Sequence, residues 1–482
     1  MPRCLAVYGT PADRRFAGIW IKNDAPTPWS WWVADQVTHQ SIFDAETQGD
    51  LRPGWMSVAS DGWYLSVFRD DQIGEWRARH GITGVEYQAE FDTCVSAGLM
   101  PIVLQEGGAG DQTRYASIFA RTELPKPRVW TVTDTSSPQL TGLDEVVRQF
   151  IAAHAIRTGA LAELRGQDLF VNRGYTWAEE SYPTTQPDSL FRIASLSKAF
   201  TAAAIDRLVS AGRLTLATRA YPFLGITAAL LAGQHPDPAV DTITVGQLID
   251  HFSGLKHARV IENGLERTFQ PSDDLRTIAT LLGQTVTPSR GDLVRYMYGE
   301  RLDFRPGFPP GGVFDYSNLG YTLLTSVIEA ASQRPYLDFL RNEVLAPEGL
   351  SDVWIGATAT SGQLPGEVRY DHPGIGLSVL QPTADVRLPA AYGTFALENI
   401  PGSGGLVSTA PTVARFISRH AVWGLGWRTV ATRHGNFDWT ISGARSRPDG
   451  IDFAYVFNRL VTYDEHNGIT TAIDAYLDAH PV

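Results

Sequence analysis

The sequence predicts an α+β chain in two parts. A small α/β tandem-repeat region comes first. A larger region follows, in which an antiparallel sheet is flanked by helices and carries an all-helical lobe. Three observations lead there. The first part of the chain repeats itself at an interval of about 48 residues. From Leu143 onward, helical and strand patterns do not alternate one for one, which argues against a parallel βαβ sheet. Between Ser195 and Tyr316 the legible elements are helices.

The repeat is read from Arg15-Phe16-Ala17-Gly18-Ile19-Trp20, Trp63-Tyr64-Leu65-Ser66-Val67-Phe68 and Arg114-Tyr115-Ala116-Ser117-Ile118-Phe119. His39–Phe43 and Tyr87–Phe91 echo one another at the same interval, as do Pro53 and Pro101. Each unit reads as a short helix, a strand (Trp55–Ala59, Ile102–Gln105), a turn and a second strand. A single unit cannot bury its own face, so neighbours are expected to pack. The segment holds Trp20, Trp29, Trp31, Trp32, Trp55, Trp63 and Trp76. These serve either as repeat core or as an aromatic face that holds an extended substrate. Leu124-Pro125-Lys126-Pro127-Arg128 breaks the pattern, and Asp134-Thr135-Ser136-Ser137-Pro138 continues the break. The reading is a repeat region over 1–128, a linker over 129–142 and a second domain over 143–482.

In that second domain an amphipathic helix is expected from Leu143 to about Thr158. A strand pair follows over Ala160–Leu164 and Leu169–Gly174, turning at Arg165-Gly166-Gln167. Ser195 reads as a helix N-cap, with apolar residues at helical spacing up to a stop at Gly212. Ile243–Leu255 is a short helix entering a Ser-Gly turn, and a helix is expected from about Tyr321 to Ala331. Gly404–Thr409 leads into a helix from Pro411 to about His420, Gly424–Trp427 starts a strand, Phe453–Asn458 is a buried strand, and Ile473–Ala479 belongs to a last helix.

Bulk properties exclude several functions. The 482 residues are 19% charged and 43% hydrophobic, as in globular proteins, with a net charge of −12. That charge argues against nucleic acid or an anionic membrane as a main partner. No run of ~18 apolar residues exists to span a membrane. The start of the chain lacks a stretch of signal-peptide length, so the sequence reads as intracellular, or as the mature form of a secreted protein. Cys4 and Cys94 form no metal-ligand spacing with the 11 histidines; they are idle thiols or a single bridge. Metalloprotease, Walker and dinucleotide fingerprints are missing, and no cofactor is expected.

Three short motifs stand in order: Ser195-x-x-Lys198, Tyr316-Ser317-Asn318 and His434-Gly435-Asn436. Acyl transfer needs a nucleophile, a proton acceptor and donors for the oxyanion. Residues three apart share a helix face, so Lys198 stands one turn from Ser195, and a buried lysine loses basicity and can take the serine's proton. Tyr316 supplies a phenol that shares this proton and passes it to the leaving group. Asn318 offers an amide to Lys198 or to a substrate carbonyl.

The order and flanks of these motifs resemble the serine β-lactamase/penicillin-binding-protein superfamily, in its class C β-lactamase-like branch, from Leu143 to the C-terminus. The resemblance implies catalysis by Ser195, Lys198 and Tyr316, and leaves open which of the last two is the base in each step. It implies that Asn318, His434, Asn436 and Phe437 bind substrate. His434 takes the place of a frequent lysine, and the N–H groups of Ser195 and Phe437 form the oxyanion hole. Asn436 stands where the motif usually has glycine, which narrows the acyl pocket; an alternative register would place Ile441-Ser442-Gly443 there. The first segment resembles a bacterial repeat module marked by an Arg-Tyr-Ala-x-Ile-Trp strand. The two together resemble the polyglycine hydrolases and their bacterial relatives. That resemblance implies a peptide or protein substrate, Gly-rich in that family, cut by a serine endopeptidase. A small-molecule esterase or β-lactamase, and a non-catalytic binding homologue, are the competing expectations.

Overall fold

The computed structural model describes residues 1–10, 12–23, 27–134, 141–262, 264–309, 311–371 and 374–481, so residues 135–140 of the expected linker lie outside the described set. The chain opens with a hairpin of β1 (Pro2–Thr10) and β2 (Asp13–Trp20). Two units then follow one course: β3 (Trp29–Ala34), α1 (Gln36–Gln48), β4 (Arg52–Val58), β5 (Tyr64–Arg69), and β6 (Trp76–Ile82), α2 (Gly84–Ser96), β7 (Met100–Gly107), β8 (Arg114–Ala120). The echoing segments are β2, β5 and β8, and the latter two are central in sheets ordered β3-β5-β4 and β6-β8-β7. A unit therefore has one strand more than the pattern predicts, the leading β3 or β6. Both helices begin on polar caps: the Asp35 carboxylate accepts from the Val37 and Thr38 N–H groups, and Thr83 and Glu86 form a capping box. Met56, Val58 and Tyr64 of one unit pack with Val103, Ala116 and Ile118 of the next, so the units bury each other's faces. Trp20 and Trp31 are exposed, while the other five tryptophans named above are half-buried. Cys4 and Cys94 are both free thiols.

The second region is built on a six-stranded antiparallel sheet. Its order is Ala431–Phe437, Thr440–Ser446, Ile451–Phe457, β10 (Thr158–Arg165), β11 (Asp168–Ala178) and β9 (Val129–Asp134). Residues 129–134, expected as linker, are thus its outer strand: apolar and polar residues alternate over Trp130–Thr133, and the strand pairs with Arg173–Ala178. Side chains alternate across the sheet. Leu161, Phe453, Tyr455 and Phe457 meet α3 (Thr141–Ala153) and the last helix, Tyr463–Ala479. Ala160, Ala162, Ala454 and Val456 face the helical side, where Phe200 stacks on Phe416 with ring centroids 3.9 Å apart.

Several boundaries differ from expectation, each for a local reason. α3 stops at Ala153 rather than near Thr158, because the chain turns at Ala155 (φ +53°) to enter β10. The helical lobe is not all-helical: Ala258–Glu262 and Leu265–Phe269 form a hairpin, and the Asn-Gly pair at 263–264 is the turn signal that marks it. Gly424–Trp427 makes only a single bridge, His420 to Trp427, and the strand begins at Ala431. The last helix starts at Tyr463, ten residues before Ile473, on a Thr462–Glu465 capping box.

The two regions meet over a buried ionic cluster. The Asp70 carboxylate, just past β5, pairs with the Arg157 guanidinium and lies 3.4 Å from that of Arg459 and 3.7 Å from that of Arg128. Glu179 pairs with Arg157 at 3.1 Å.

Candidate active site

Ser195 does not cap a helix. It sits in a 3₁₀ turn, Ala194–Leu196, and α4 (Ser197–Ser210) follows with Leu196 at its cap position. Ala194 has φ +45°, a left-handed conformation that costs a non-glycine residue of order 1 kcal/mol or more. Neighbours hold the turn in place. The Ser197 hydroxyl donates to Ala194 O and accepts from Leu406 N–H, and the Ser442 hydroxyl donates to Ile193 O. The Ser195 hydroxyl takes no part in this bracing, and Ser195 lines the cleft.

Lys198 comes round one turn and its Nζ donates to Ser195 Oγ at 3.1 Å. It also donates to Asn318 Oδ1 at 2.8 Å and to Ser403 O, which uses all three ammonium donors. Tyr316 Oη lies 2.8 Å from Ser195 Oγ. Tyr316, 121 residues from Ser195, thus joins the local Ser195–Lys198 pair in one hydrogen-bonded cluster. Burial brings Lys198 down to about 8, with the nearby Arg433 charge acting in the same direction. Burial alone would raise Tyr316, but the charges of Lys198 and Arg433 outweigh it and bring the phenol down to about 8.

Ser317 caps the helix Asn318–Ser332, accepting from Gly320 N–H, so this helix starts earlier than the expected Tyr321. The loop before it is fastened by His251, which the sequence reading passes over. Ser317 N–H donates to His251 Nδ1 at 3.1 Å, and the imidazole packs against the Tyr316 ring at a 30° tilt, centroids 4.5 Å apart. His251 has φ +64°, and its buried Nε2 has no hydrogen-bond partner among the described residues. Burial first, and then the Lys198 and Arg433 charges, hold it neutral, with its pKa lowered to about 3.

The third motif lies one residue earlier than expected. Along Ala431–Phe437 the Arg433 side chain and the Gly435 position face inward, and the side chains of His434 and Asn436 face the cleft. Arg433, not His434, supplies the cation near Tyr316. It is buried, its Nη1 donates to Val422 O, and its guanidinium lies 4.1 Å from the Trp423 ring. A Cβ on Gly435 would come within 2.8 Å of Ser195 N and Ile193 O, so this glycine permits the strand to touch the nucleophile turn. His434 instead bonds Thr470 through Nε2 at 2.9 Å and stacks on His466 at 4.1 Å; burial lowers its pKa.

The ladder also bears on the expected second oxyanion donor, Phe437 N–H. Asp438 and Trp439 form a two-residue loop, so the flanking pair Phe437 and Thr440 exchange their N–H and C=O groups across the ladder. The next residue, Asn436, then turns its N–H and C=O away from the partner strand, out of the open edge. The Phe437 N–H, expected as the second oxyanion donor, is instead committed to the ladder. Ile441–Gly443, the alternative register, lies on the second strand rather than the edge.

Ser195 and Asn436 stand at the junction of two cavities. The larger, about 680 Å3, is lined by Tyr316, Trp423, His434 and His466 among others. The smaller, about 200 Å3, is lined by Asn318, Phe395, Ser403, Phe437, Asp273 and Asp438 among others. Arg433, His251 and the two aspartates are the site residues that no motif announced; only the position of Arg433 beside His434 offered a signal.

Comparison with known proteins agrees with this architecture. The family model described as Beta-lactamase matches residues 143–463, and the one described as Polyglycine hydrolase-like, structural repeat matches 1–23 and 73–122. The chain is similar to "Protein flp" of Staphylococcus aureus (strain COL), 26% identical over 207 residues, which are 42% of this chain and 36% of that protein. It is also similar to "Penicillin-binding protein 4*" of Bacillus subtilis (strain 168), 29% identical over 196 residues, 40% of this chain and 37% of that one. The matched stretch thus spans little more than a third of either relative. Among solved structures, the octameric penicillin-binding protein homologue from Pyrococcus abyssi superposes with a TM-score of 0.48 at 18% identity, over 71% of this chain and 77% of its own.

Proposed function

Because the chain belongs to the Beta-lactamase family, we propose that it is a serine hydrolase that cleaves peptide amides through an acyl-enzyme on Ser195, with Gly-rich segments as the substrate class. The observation that carries this reading is the shared contact of Ser195 Oγ with Lys198 Nζ and Tyr316 Oη.

With Lys198 donating to three acceptors, the neighbouring group placed to take the serine proton is the Tyr316 oxygen, and two cations favour its ionised form. Ser195 Oγ then attacks the scissile carbonyl as its proton passes to Tyr316. The Ser195 and Asn436 N–H groups hold the oxyanion that forms. Collapse breaks the C–N bond, and Tyr316 returns the proton to the leaving amine. Water reverses the sequence: it gives its proton to Tyr316, attacks the acyl carbon and releases Ser195. Asn318 keeps Lys198 in place. The Gly-rich preference is supported by the narrow cavity between Phe395, Phe437 and Asn436, and by the repeat match.

Intact-mass analysis after exposure to nitrophenyl esters and to Gly-rich peptides tests the reading. A mass increase that maps to Ser195 with esters, together with cleavage of the peptides, is expected. Ester turnover without peptide cleavage would assign the site to a small-molecule esterase. A lack of any adduct, with partner binding retained, would assign the chain to the non-catalytic class.

A further inference from the structure

A cavity that shares no residue with the hydrolase site lies in the repeat region. Its volume is about 400 Å3, within the ~300–1,000 Å3 of typical ligand sites. The β1–β2 hairpin and both repeat units contribute to its walls. One side is apolar and includes Ile21, Trp55, Ile102 and Val103. The other holds Arg52 and Arg69, which stand directly opposite each other across the β4–β5 ladder. Like charges in such positions repel, and both side chains belong to residues that are buried, 5% and 6% exposed.

One carboxylate serves the two arginines. Asp71 is held by Arg52, whose Nε lies 2.7 Å from Oδ1 and whose Nη2 donates to Oδ2 at 3.0 Å. The other acid in the wall, Glu123, pairs with Arg3 at 3.3 Å. Among the described residues no carboxylate comes within ion-pair distance of Arg69. Its Nη2 donates to Pro2 O at 3.1 Å and to Arg3 O at 2.9 Å, while Nε and Nη1 find no acceptor among those residues. Burial lowers the Arg69 pKa; Asp71 and Glu123 act against this from a distance, and Arg52 and Arg3 reinforce it. Gly54, at the bulge in β4, makes room for the side chain: a Cβ there would come within 2.7 Å of Arg69 Nε. At Arg52, Asp71 and Arg69, then, two buried positive charges meet one negative charge at the wall of a cavity. A buried charge without a partner is costly, and an anion in the cavity would relieve it.

We propose that this cavity binds a carboxylate carried on an apolar body, the C-terminal carboxylate or an acidic side chain of a peptide chain, and that Arg69 is the group that holds it. One negative charge completes the set of two arginines and one aspartate, so a monoanion suits the site better than a doubly charged phosphate. The apolar wall receives the side chain next to the carboxylate. The site does not depend on the hydrolase reading, since every residue that lines it lies within 1–125.

The test is a ligand-observed NMR titration of the full-length protein with 4-methylpentanoate, its amide 4-methylpentanamide, and inorganic phosphate. The acid is expected to bind about tenfold or more tightly than the amide, which cannot offer a charged acceptor to Arg69, and more tightly than phosphate. N-acetylleucine and N-acetylglutamic acid α-amide then present a terminal and a side-chain carboxylate, and the tighter binder identifies the source. Arg69→Met should remove the preference for acid over amide. Arg69 also braces the hairpin, so Ile21→Glu is the second variant: it adds a carboxylate to the wall, leaves the Arg69 hydrogen bonds in place, and should weaken binding of the acid by about tenfold with little change in melting temperature. Equal binding of acid and amide, tighter binding of phosphate, or an acid preference that survives in folded Arg69→Met or undiminished in Ile21→Glu, overturns the proposal.

Discussion

At the residue scale the proposed chemistry depends on one proton that is easy to share. An ordinary lysine and an ordinary tyrosine both titrate at about pH 10, and neither is a useful base at neutrality. Burial lowers Lys198, and Lys198 with Arg433 lowers Tyr316, so both come to about 8. The pair titrates as a unit, and the active form carries one proton fewer than the fully protonated pair. Acylation of Ser195 is therefore expected to follow a bell-shaped pH profile centred near 8. It rises as Tyr316 ionises and falls as Lys198 loses its charge. Tyr316→Phe should lower acylation by about 100-fold or more. Lys198→Ala should move the rising limb to higher pH, because the phenol loses its nearest cation; an unmoved limb would deny that Lys198 sets the phenol's acidity. The Ser195–Lys198 relation is legible in the sequence because a spacing of three is local geometry, and Tyr316 follows from a short motif beside a helix start. His251 and Arg433 act by contact across the fold, which sequence spacing does not encode.

At the element scale the nucleophile turn and the edge strand are fitted to each other. Gly435 is the point of contact, and the space for a side chain there is already filled by Ser442 Oγ, Ile193 O and Ser195 N. Gly435→Ala should push the strand from the turn and misplace the Asn436 N–H, with a loss of about 100-fold in acylation and a smaller effect on stability, read by active-site labelling beside a melting curve. His251→Phe tests the loop on the other side. It keeps a ring against Tyr316 but removes the acceptor for Ser317 N–H, so turnover per folded site should fall and the pH profile should shift; a lower melting temperature with an unchanged profile would leave His251 a purely structural residue. The elements themselves were legible where periodicity runs long, as in β10, β11 and the strand Ile451–Phe457. The register of the third motif was not, because His434 and Arg433 are both cationic types in adjacent positions and only the pleat decides which one faces inward. The leading strands β3 and β6 escaped notice because the strongest internal echo lies in β2, β5 and β8.

At the scale of the whole molecule, the repeat sheets and the hydrolase sheet are joined by charges that water does not reach. Asp70 and Arg157 are almost fully buried, with side chains 1% and 2% exposed. Asp70→Ala leaves Arg157 and Arg459 short of a partner, and breaking a buried pair in this way costs about 3–5 kcal/mol; a markedly lower melting temperature and faster proteolysis at the joint are expected. The exposed Trp20 and Trp31 are free to meet a partner. Replacing both with alanine should spare ester hydrolysis and weaken cleavage of protein substrates, and equal losses on both would count against a docking role. Self-similarity made the repeat visible in the sequence, but the joint was hidden, since Asp70 and Arg157 lie 87 residues apart and have no motif. The central claim concerns the same kind of long-range meeting, of Ser195, Lys198 and Tyr316 around one proton. The most direct test is the mass of the intact protein after brief exposure to a nitrophenyl ester. A single acyl adduct that maps to Ser195, absent in Ser195→Ala and formed at least about 100-fold more slowly in Tyr316→Phe, is the predicted result. Turnover that persists in Ser195→Ala, or an adduct on another residue, would contradict it.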